Sequence, residues 1–592
     1  MPIRTQCITS YDQTHLLVAS QDSIRLLNTN TLKQKSICGI EDMFQINTLF
    51  YDHKREVVWI GTSTDGLFYL NMKKKTLLPF FNFPKQPIAV ITESSDSTLL
   101  VGIDGQGVWE LDKDKKTVLN ILKEDIDNPF SLRGDGVYDI FCDGQQRVWV
   151  TTYTGGLSFF DWKSPLINQI THQVNNPNSL GNDNVNKILE DSKGDIWFAT
   201  NNGISRWRVA TNEWDTYYQN KQEQAQVFLA LCEDDEGNIW AGSFSSGFYV
   251  LDRNTGKELV HYPRNTSELK SDGKFIMNIY KDSEGDIWIG GIQDVICYLT
   301  KEKRFHTYGA QPMRTFMEFS PGKMLLACTY SVLLLDKETG KITFLPECLA
   351  QDILVMGDDI WVATSGDGLL HHNYTTRETH KITVESGLPS NYVNSVMYDN
   401  GYLWLGTENG LCRYNPADST VHAYYSTLAL SSASFNVNAS CKLRNGELMW
   451  GTNNGAVMFN PDKLYHTQLN GEIYFQNITI SGSSIRENQD LLRGIPVNKQ
   501  TDISFKYDQN TLTLEVLPIG VSSKEIKFSW KMEGLDTEWS HPSSQQIITY
   551  TNIPNGNFRL KVRMYNNSLS QIVDERTLDL SLIHISEPTR PY

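Results

Sequence analysis

One short phrase recurs along the first three quarters of the chain, and it constrains the fold more than any other feature. Clear copies read VVWIGTSTDGLFYL at 57–70, DSKGDIWFATNNG at 191–203, DSEGDIWIGG at 282–291 and YLWLGTENGLCRY at 402–414. Each copy has a small residue before its turn, and these anchors are Ala19, Gly61, Gly102, Thr151, Ala199, Gly242, Gly290, Ala327, Ala363, Gly406 and Gly451. Their mean spacing of about 43 residues is the length of a four-stranded β-propeller blade. The repeat therefore predicts an all-β chain built from propeller blades.

The local chemistry of each copy agrees with this prediction. Asp191 and Gly194 occupy the first and fourth positions that a type I turn favours. The β-branched and aromatic run at 196–200 is typical of a buried strand, and Asn202 with Gly203 supplies a hairpin turn. Each copy thus indicates a strand, a DxxG turn, a second strand, a T-x-x-G type of loop and a third strand. No segment shows sustained helical periodicity, which disfavours an α/β fold.

Length, charge and cysteine spacing exclude several classes of function. The chain has 592 residues, too many for one hydrophobic core, and a net charge of −16, which argues against general nucleic-acid binding. The closest of its nine cysteines are Cys328 and Cys348, so no CxxC motif of a zinc ribbon or redox site exists. We expect no metal and no cofactor. The start of the chain lacks the apolar run of a signal peptide, and no apolar run is long enough to span a membrane.

The repeat and the C-terminal module together resemble a known family. The pattern D-x-x-G-x-I/L-W-x-G/A-T-x-x-G-L resembles the propeller repeats of bacterial two-component regulators. The module at about 470–580 contains FSWKMEGLD at 528–536 with Trp539, and YTNIPNG at 550–556. These phrases resemble the Y_Y_Y β-sandwich of hybrid two-component sensor histidine kinases. Trp530 and Phe558 stand where tyrosines are usual, and the alternation of apolar and polar residues independently indicates a sandwich.

The resemblance implies a function that the residues alone do not give. In this family the propellers and an immunoglobulin-like sandwich form the periplasmic sensor region of a membrane-anchored kinase. The region recognises an oligosaccharide, and the protein is expected to form a homodimer through the sandwich. We therefore expect a binding protein without catalytic residues, which signals to a kinase that this sequence does not contain.

The count of anchors divides the chain into four parts. We expect a partial propeller of about four blades at 1–169, a closed seven-bladed propeller at 170–465, the sandwich at 466–580 and a non-native tail at 581–592. Propeller closure can borrow a strand from a neighbouring segment. The family pattern would place three more blades upstream, so we expect a fragment. The ending LSLIHISEPTRPY resembles a translated sequencing adapter, and we expect residues 580–592 to pack poorly.

Candidate ligand contacts lie on the loops between the second and third strands. These loops open on the face opposite the DxxG turns, because successive strands alternate in direction. The candidates are Tyr153, Thr154, Asn201, Asn202, Phe244, Ser245, Asp367, Asn409 and Asn453, and the wider rim adds Ser63, Thr64, Asp65, Gln293, Asp294, Ser365, Glu408 and Asn454. Asparagine before glycine is also what a hairpin turn requires, so Tyr153 and Phe244 are the strongest candidates. We expect the tryptophans Trp59, Trp197, Trp288 and Trp404 to serve packing.

Two other functions remain open. A propeller glycoside hydrolase or lyase is one, because the DxxG-x-x-W turns are similar to the aspartate boxes of sialidases. Those boxes carry a serine two positions before the aspartate, whereas Leu189 precedes Asp191 here, and the boxes are structural turns. A protein-interaction scaffold is the other function, which an exposed apolar patch on the rim would favour.

Overall fold

The computed structural model describes residues 5–40, 45–128, 131–143, 147–161, 167–219, 227–263, 275–292, 295–309, 312–424, 434–465, 469–506, 509–521, 523, 525–567, 569 and 571–583. The chain divides into two compact units, Met1–Ser164 and Pro165–Tyr592. Each unit is described by itself below.

The first unit consists of four antiparallel sheets in chain order. Its first two sheets contain β1 (Thr5–Ser10), β2 (His15–Ser20), β3 (Ser23–Asn28), β4 (Gln34–Gly39), β5 (Ile46–Asp52), β6 (Val57–Thr62), β7 (Leu67–Asn71) and β8 (Thr76–Pro79). The third and fourth sheets contain β9 (Ile88–Glu93), β10 (Thr98–Ile103), β11 (Gly107–Asp112), β12 (Thr117–Leu122), β13 (Val137–Cys142), β14 (Arg147–Thr152) and β15 (Gly156–Asp161). The inner strands β1, β5, β9 and β13 pack on one another in that order, as in a propeller.

The fourth sheet shows that this first propeller is incomplete. Seven tryptophans of the repeat are at most 5% exposed, namely Trp59, Trp197, Trp240, Trp288, Trp361, Trp404 and Trp450. The equivalent Trp149 of the fourth sheet is partly exposed, and it pairs across the strands with Phe141 and Phe159, which are 63% and 58% exposed. All of those tryptophans except Trp450 pack in a core that their blade shares with the next blade. The open face confirms the expectation of an incomplete first propeller.

The second unit begins with a closed ring of seven four-stranded blades, here called ring blades 1 to 7. Ring blades 1 to 3 contain β17 (Val185–Glu190), β18 (Ile196–Thr200), β19 (Gly203–Arg208), β20 (Glu213–Tyr217), β21 (Phe228–Glu233), β22 (Asn238–Ser243), β23 (Phe248–Asp252), β24 (Glu258–Tyr262), β25 (Ile276–Lys281), β26 (Ile287–Gly291), β27 (Val295–Leu299) and β28 (Arg304–Tyr308). Ring blades 4 to 6 contain β29 (Met313–Ser320), β30 (Lys323–Cys328), β31 (Ser331–Asp336), β32 (Ile342–Glu347), β33 (Ala350–Met356), β34 (Asp359–Thr364), β35 (Leu369–Asn373), β36 (Thr379–Ile382), β37 (Val393–Asp399), β38 (Tyr402–Thr407), β39 (Gly410–Asn415) and β40 (Thr420–Ala423). Ring blade 7 contains β41 (Phe435–Lys442), β42 (Leu448–Thr452), β43 (Gly455–Phe459) and, as its outer strand, β16 (Asn168–Ile170).

The ring closes by the borrowed strand that the sequence allowed for. Strand β16 precedes the ring in sequence and pairs antiparallel with β43 of the last blade. The inner strands pack successively from β17 to β41, and β41 packs back on β17. The second propeller is therefore seven-bladed, as predicted, and its closing strand begins two residues before position 170, the predicted start of the ring.

Two side-chain hydrogen bonds explain the repeated phrase. The aspartate of the DxxG turn accepts a hydrogen bond from the indole Nε1 of the tryptophan six residues later, at 2.9 Å for Asp191 and Trp197 and at 2.8 Å for Asp282 and Trp288. The threonine before the loop donates to the carbonyl of the loop glycine, for example from Thr200 to Gly203 at 2.9 Å. These bonds hold the two ends of the second strand, so the repeat encodes blade geometry.

The C-terminal module is a sandwich of two four-stranded sheets, as predicted. One sheet has the order β45-β44-β47-β49, with β44 (Glu472–Ile480), β45 (Ser483–Ser484), β47 (Leu512–Ile519) and β49 (Ile547–Tyr550). The other has the order β46-β51-β50-β48, with β46 (Asp502–Lys506), β48 (Ile526–Glu533), β50 (Gly556–Asn566) and β51 (Ile572–Ile583). The helices and 3-10 turns of the second unit are Val384–Ser386, Pro461–Tyr465, Ile485–Glu487, Gln489–Leu492 and Val497–Lys499. No helix in the described parts of the chain has the length and hydropathy needed to cross a membrane.

The end of β51 corrects one expectation about the tail. Leu580 and Leu582 are only 2% and 5% exposed, and they belong to the core of the sandwich. Residues 580–583 pair with β46 on one side, and 580–582 pair with β50 on the other. The prediction that the chain packs poorly from residue 580 is wrong for 580–583, because their alternating apolar side chains complete the sheet. Residues 584–592 lie outside the described residues.

Candidate functional site

The predicted rim residues of the ring lie on the face where the inner strands begin, here called the upper face. The first residue of each loop donates its backbone N–H to the residue just before the inner strand of the same blade. The N···O distances are 3.3 Å from Asn201 to Asn184, 2.9 Å from Phe244 to Val227 and 3.2 Å from Glu408 to Tyr392. The same bond joins Tyr153 to Gly136 at 2.8 Å in the first unit. The loops are thus fixed beside the start of the inner strands.

Exposed aromatic rings stand on these loops. Phe244 is 45% exposed and lies 4.8 Å from the ring of Phe275. Tyr153, in the first unit, is 74% exposed and lies 5.6 Å from Tyr138. The sequence missed Tyr330, which is 77% exposed at the equivalent loop of ring blade 4. Its copy of the repeat, LLACTYSVLLLD at 325–336, lacks the glycine that marks the loop elsewhere.

Most of the polar candidates help to form the loops. The backbone N–H groups of Asn202, Asn409 and Asn454 bond to the preceding threonine hydroxyls at 3.0 to 3.1 Å. Asp367 accepts a hydrogen bond from the Nζ of Lys381 at 2.8 Å. Thr154 and Asn453 are exposed, whereas Ser245 and Ser365 are partly buried. In the first unit the hydroxyl of Ser63 donates to Asn47 Oδ1, and the hydroxyl of Thr64 donates to Asp65 Oδ2. Gln293 and Asp294 lie outside the described residues.

Three asparagines that the sequence did not indicate tie neighbouring ring blades together. Each is the second residue of an inner strand, and its Nδ2 donates to the carbonyl of the first residue of the next inner strand. The distances are 2.8 Å from Asn186 to Phe228, 2.8 Å from Asn394 to Phe435 and 2.7 Å from Asn436 to Val185. These residues precede the repeated phrase, so the pattern of the phrase could not reveal them.

A polar group of five residues, here called the axial cluster, lies below the upper face. It consists of Lys187, Asn278, Thr315, Asp352 and Asn438. Asn438 accepts bonds from the Nζ of Lys187 at its carbonyl and its Oδ1, at 3.0 and 2.9 Å, and it donates to Thr315 at 2.9 Å. Lys187 belongs to ring blade 1, Thr315 to ring blade 4 and Asn438 to ring blade 7. Asn438 therefore reaches across the centre of the ring.

The charges of the axial cluster are held in an apolar environment. Burial raises the pKa of Asp352 to about 6 against the attraction of the Lys187 ammonium. Burial lowers the pKa of Lys187. The carboxylate of Asp352 accepts hydrogen bonds from the backbone N–H groups of Ile353 and Val396 at 3.0 and 3.1 Å. The cluster supplies structural order at the axis together with one buried acid that titrates near neutral pH.

On the opposite face, one acidic group has the composition of a cation site. Asp282, Glu284 and Asp286 bring three carboxylate oxygens within 4.8 Å of one another, and they are the one such group among the described residues. The Nζ of Lys337 lies at 2.7, 2.6 and 2.8 Å from the three carboxylates. An ammonium group of the chain thus stands where a metal ion would lie, and it compensates the charge of the turn.

Comparisons with known proteins agree with this architecture. The family model named two component regulator propeller matches residues 179–202, 222–245, 270–293 and 387–409, and the Y_Y_Y domain model matches 519–581. The chain is 25% identical to histidine kinase P4 of Formosa agariphila over 363 residues, which are 56% of this chain and 26% of that protein. The matching region therefore spans about a quarter of the length of that kinase.

A solved structure shows the same fold. The extracellular domain of a putative hybrid two component system from B. thetaiotaomicron superposes with a TM-score of 0.72 at 19% identity, covering 98% of this chain and 78% of that one. The chain therefore contains two component regulator propeller repeats followed by a Y_Y_Y domain.

Proposed function

We propose that this chain is the periplasmic ligand-sensing region of a hybrid two-component sensor kinase, and that it recognises an oligosaccharide. The observation that carries the proposal is the set of exposed aromatic rings on loops that the propeller holds rigidly. Phe244 and Tyr330 stand on the upper face of the ring, and Tyr153 stands on the equivalent loop of the first unit. Aromatic rings stack on the apolar faces of pyranose rings, and nearby amides bond to the hydroxyl groups.

The hydrogen bonds of the DxxG turns favour binding over catalysis. A glycoside hydrolase needs two carboxyl groups that are free to hold or transfer a proton. The carboxylate of Asp191 is instead occupied by Trp197 Nε1 and by the backbone N–H groups of Lys193 and Asp195. Asp282 is bonded in the same way to Trp288 and is also in contact with Lys337. These turns therefore serve as structure, and they lie on the face away from the aromatic rings.

The proposal is tested by calorimetric titration of the chain with a panel of purified oligosaccharides. Phe244→Ala and Tyr153→Ala should each weaken the binding of the recognised sugar by about 1–3 kcal/mol if the ring stacks on it, by analogy with stacking on nucleic-acid bases. Phe344→Ala is the matched control, because this ring is 71% exposed on the outer strand β32, away from the loops, and its loss should leave the affinity unchanged.

Two results would contradict the proposal. One is an unchanged affinity in both loop variants while the folding of the variants is intact, because the binding site would then lie elsewhere. The other is turnover of a glycan by the purified chain, which would make the chain an enzyme.

The proposal extends to signalling through self-association of the sandwich. A sensor transmits a signal only if its ligand prefers one arrangement of the receptor over another. The outer face of the sheet β45-β44-β47-β49 exposes Tyr474, Ile519 and Ile547, which are 37%, 38% and 50% accessible. A second copy of the chain could cover these side chains. The receptor would then have two arrangements, separate and associated, and the ligand could favour one of them.

A further inference from the structure

Arg314 differs from every other arginine that the structure describes in the seven-bladed ring. The others each have a partner: Arg206 with Asp195, Arg208 with Asp215, Arg253 with Glu233, Arg304 with Glu302, Arg377 with the ring of Tyr374, Arg413 with the ring of Tyr402, and Arg444 with the carbonyl of Asp191. Arg314 is partly buried, yet no described residue forms an ion pair, a hydrogen bond or a ring contact with its guanidinium. This is the one unmatched arginine of the described ring.

The register of the blades places Arg314 on the upper face. Arg314 is the second residue of its inner strand, the position that Asn186, Asn394 and Asn436 hold in their blades. The side chains at that position reach the seam with the next blade, and Asn186 also bonds to Asn201 of its own loop at 2.9 Å. By the same register, Arg314 belongs at the seam between ring blades 4 and 5, beside the loop that carries Tyr330.

The next inner strand carries a polar residue without a partner at the same register position. Gln351 is the second residue of β33, and by the same register its side chain belongs at the adjacent seam, between ring blades 5 and 6. It is partly buried and has no hydrogen bond to any described residue. Thr329 of the loop is fixed by its backbone bond to Pro312 at 3.1 Å, which holds the adjacent Tyr330 at the rim. By this register a cation and an exposed ring belong to one seam of the upper face, and an amide belongs to the adjacent seam.

The positive charge of Arg314 is not neutralised by neighbouring groups in the described ring. Below it in the axial cluster, Lys187 and Asp352 carry opposite charges that offset one another. On the same face, Asp367 is already paired with Lys381. A guanidinium that is partly removed from water without a partner costs free energy, and a carboxylate or sulfate group repays that cost through two parallel hydrogen bonds.

We propose that Arg314, together with Gln351 and Tyr330, forms a subsite for an acidic group of the ligand, so that the chain recognises an oligosaccharide bearing carboxylate or sulfate groups. The inference rests on the proposed function and adds the charge of the ligand to it. Arg314 supplies the ion pair, Gln351 donates a hydrogen bond, and Tyr330 stacks on the sugar ring that carries the acidic group.

The test uses the whole chain and two pairs of probes in calorimetric titrations. Oligogalacturonates are compared with their carboxyl-reduced forms, and sulfated galactan oligosaccharides with their desulfated forms, which separates a carboxylate ligand from a sulfate ligand. We expect one acidic probe to bind at least tenfold more tightly than its neutral counterpart. Arg314→Gln should abolish that preference, Arg314→Lys should retain part of it, and the matched control Arg304→Gln should leave it unchanged.

Each remaining outcome has a defined meaning. Equal affinity for acidic and neutral forms, or an acidic preference that survives Arg314→Gln, overturns the inference. If a neutral oligosaccharide binds and Phe244→Ala weakens it, the proposed function stands while the acidic subsite is wrong. If no oligosaccharide of either kind binds saturably, both the subsite and the proposed function are wrong.

Discussion

Asp191 and Trp197 show how a single repeated pair of residues builds a blade. The carboxylate of Asp191 is completely buried, and its acceptor positions are used by one indole and two backbone donors. The burial of the repeat tryptophans was predictable, because a large apolar residue in every copy is typical of a core. The partner of each indole was not predictable, because only the folded turn brings the sixth residue back to the aspartate.

Asp352 gives the first prediction, on pH. Its pKa is about 6 in the folded chain, whereas an unfolded aspartate titrates near 3.9, so between these values the folded state holds a proton that the unfolded state has lost. This group therefore favours folding at low pH, and that contribution is lost as the pH rises through 6. Asp352→Asn should therefore change the free energy of unfolding more favourably at pH 7.5 than at pH 5, by about 1.4 kcal/mol, because pH 5 lies about one unit below the pKa of Asp352.

The measurement is the urea midpoint of the ring at both pH values, followed by tryptophan fluorescence. His422, whose pKa burial lowers to about 4, contributes a dependence of opposite sign, but it is present in both proteins and cancels in the difference. Asp418→Asn serves as the control, because hydrogen bonds from Thr420 lower the pKa of that exposed carboxyl, so its removal should cost stability at neutral pH. An equal effect of Asp352→Asn at both pH values would show that Asp352 is ionised at pH 5 in the folded chain.

The sequence predicted the individual blades, but it did not predict which strand pairs with the last blade to close the ring. The period of about 43 residues and the DxxG turns fixed the number of blades because both signals are local. Strand β16 has only three residues, and its partner β43 lies in the last blade of the ring, so no local pattern could assign it. The residues of the candidate site also fall into a group that the repeat predicts and a group that it does not. The loops carrying Phe244 and Tyr153 follow from the repeat, whereas Asn438 and Arg314 precede the repeated phrase in their blades.

The turn of ring blade 3 gives the second prediction. Lys337 on ring blade 4 neutralises Asp282, Glu284 and Asp286, and these carboxylates raise the pKa of its ammonium. Lys337→Met should lower the stability of the ring at neutral pH by about 3–5 kcal/mol, because it leaves buried carboxylates without a cation. Millimolar Ca²⁺ should restore part of the loss, because the three oxygen ligands suit that ion.

The effect is measured as the thermal midpoint with and without Ca²⁺. Lys341→Met is the matched control, since Lys341 is an exposed lysine of the same blade, and it should change neither midpoint. The interpretation fails if Ca²⁺ stabilises the parent chain and Lys337→Met to the same extent.

At the scale of the whole molecule, the sandwich gives the third prediction. If Tyr474, Ile519 and Ile547 form the contact between two copies, the chain should self-associate reversibly in the micromolar range, as contacts of modest area do. Ile547→Lys should weaken this association at least tenfold, because it would bury an unpaired ammonium. Sedimentation equilibrium measures the association constant.

Ile572→Lys is the control for that experiment. Ile572 is 49% exposed on the other sheet of the sandwich, so the same change there should leave the association constant unaltered. The proposal that the sandwich transmits the signal by self-association is wrong if the chain stays monomeric at all concentrations. It is also wrong if both substitutions change the association constant equally.

Strand β16, which closes the ring, is synthesised long before the strand with which it pairs. Gln169 of β16 leaves the ribosome about 290 residues before Val457, the residue with which it pairs. At the usual rate of about 5–20 residues per second, synthesis of that interval takes roughly 15–60 seconds. Until then ring blade 1 has no neighbour on one side. Its apolar side chains on that side, which ring blade 7 later covers, are Leu180, Val185, Ile188 and Phe198. We therefore expect a chaperone that holds nascent chains to bind the incomplete ring until the seventh blade has been made.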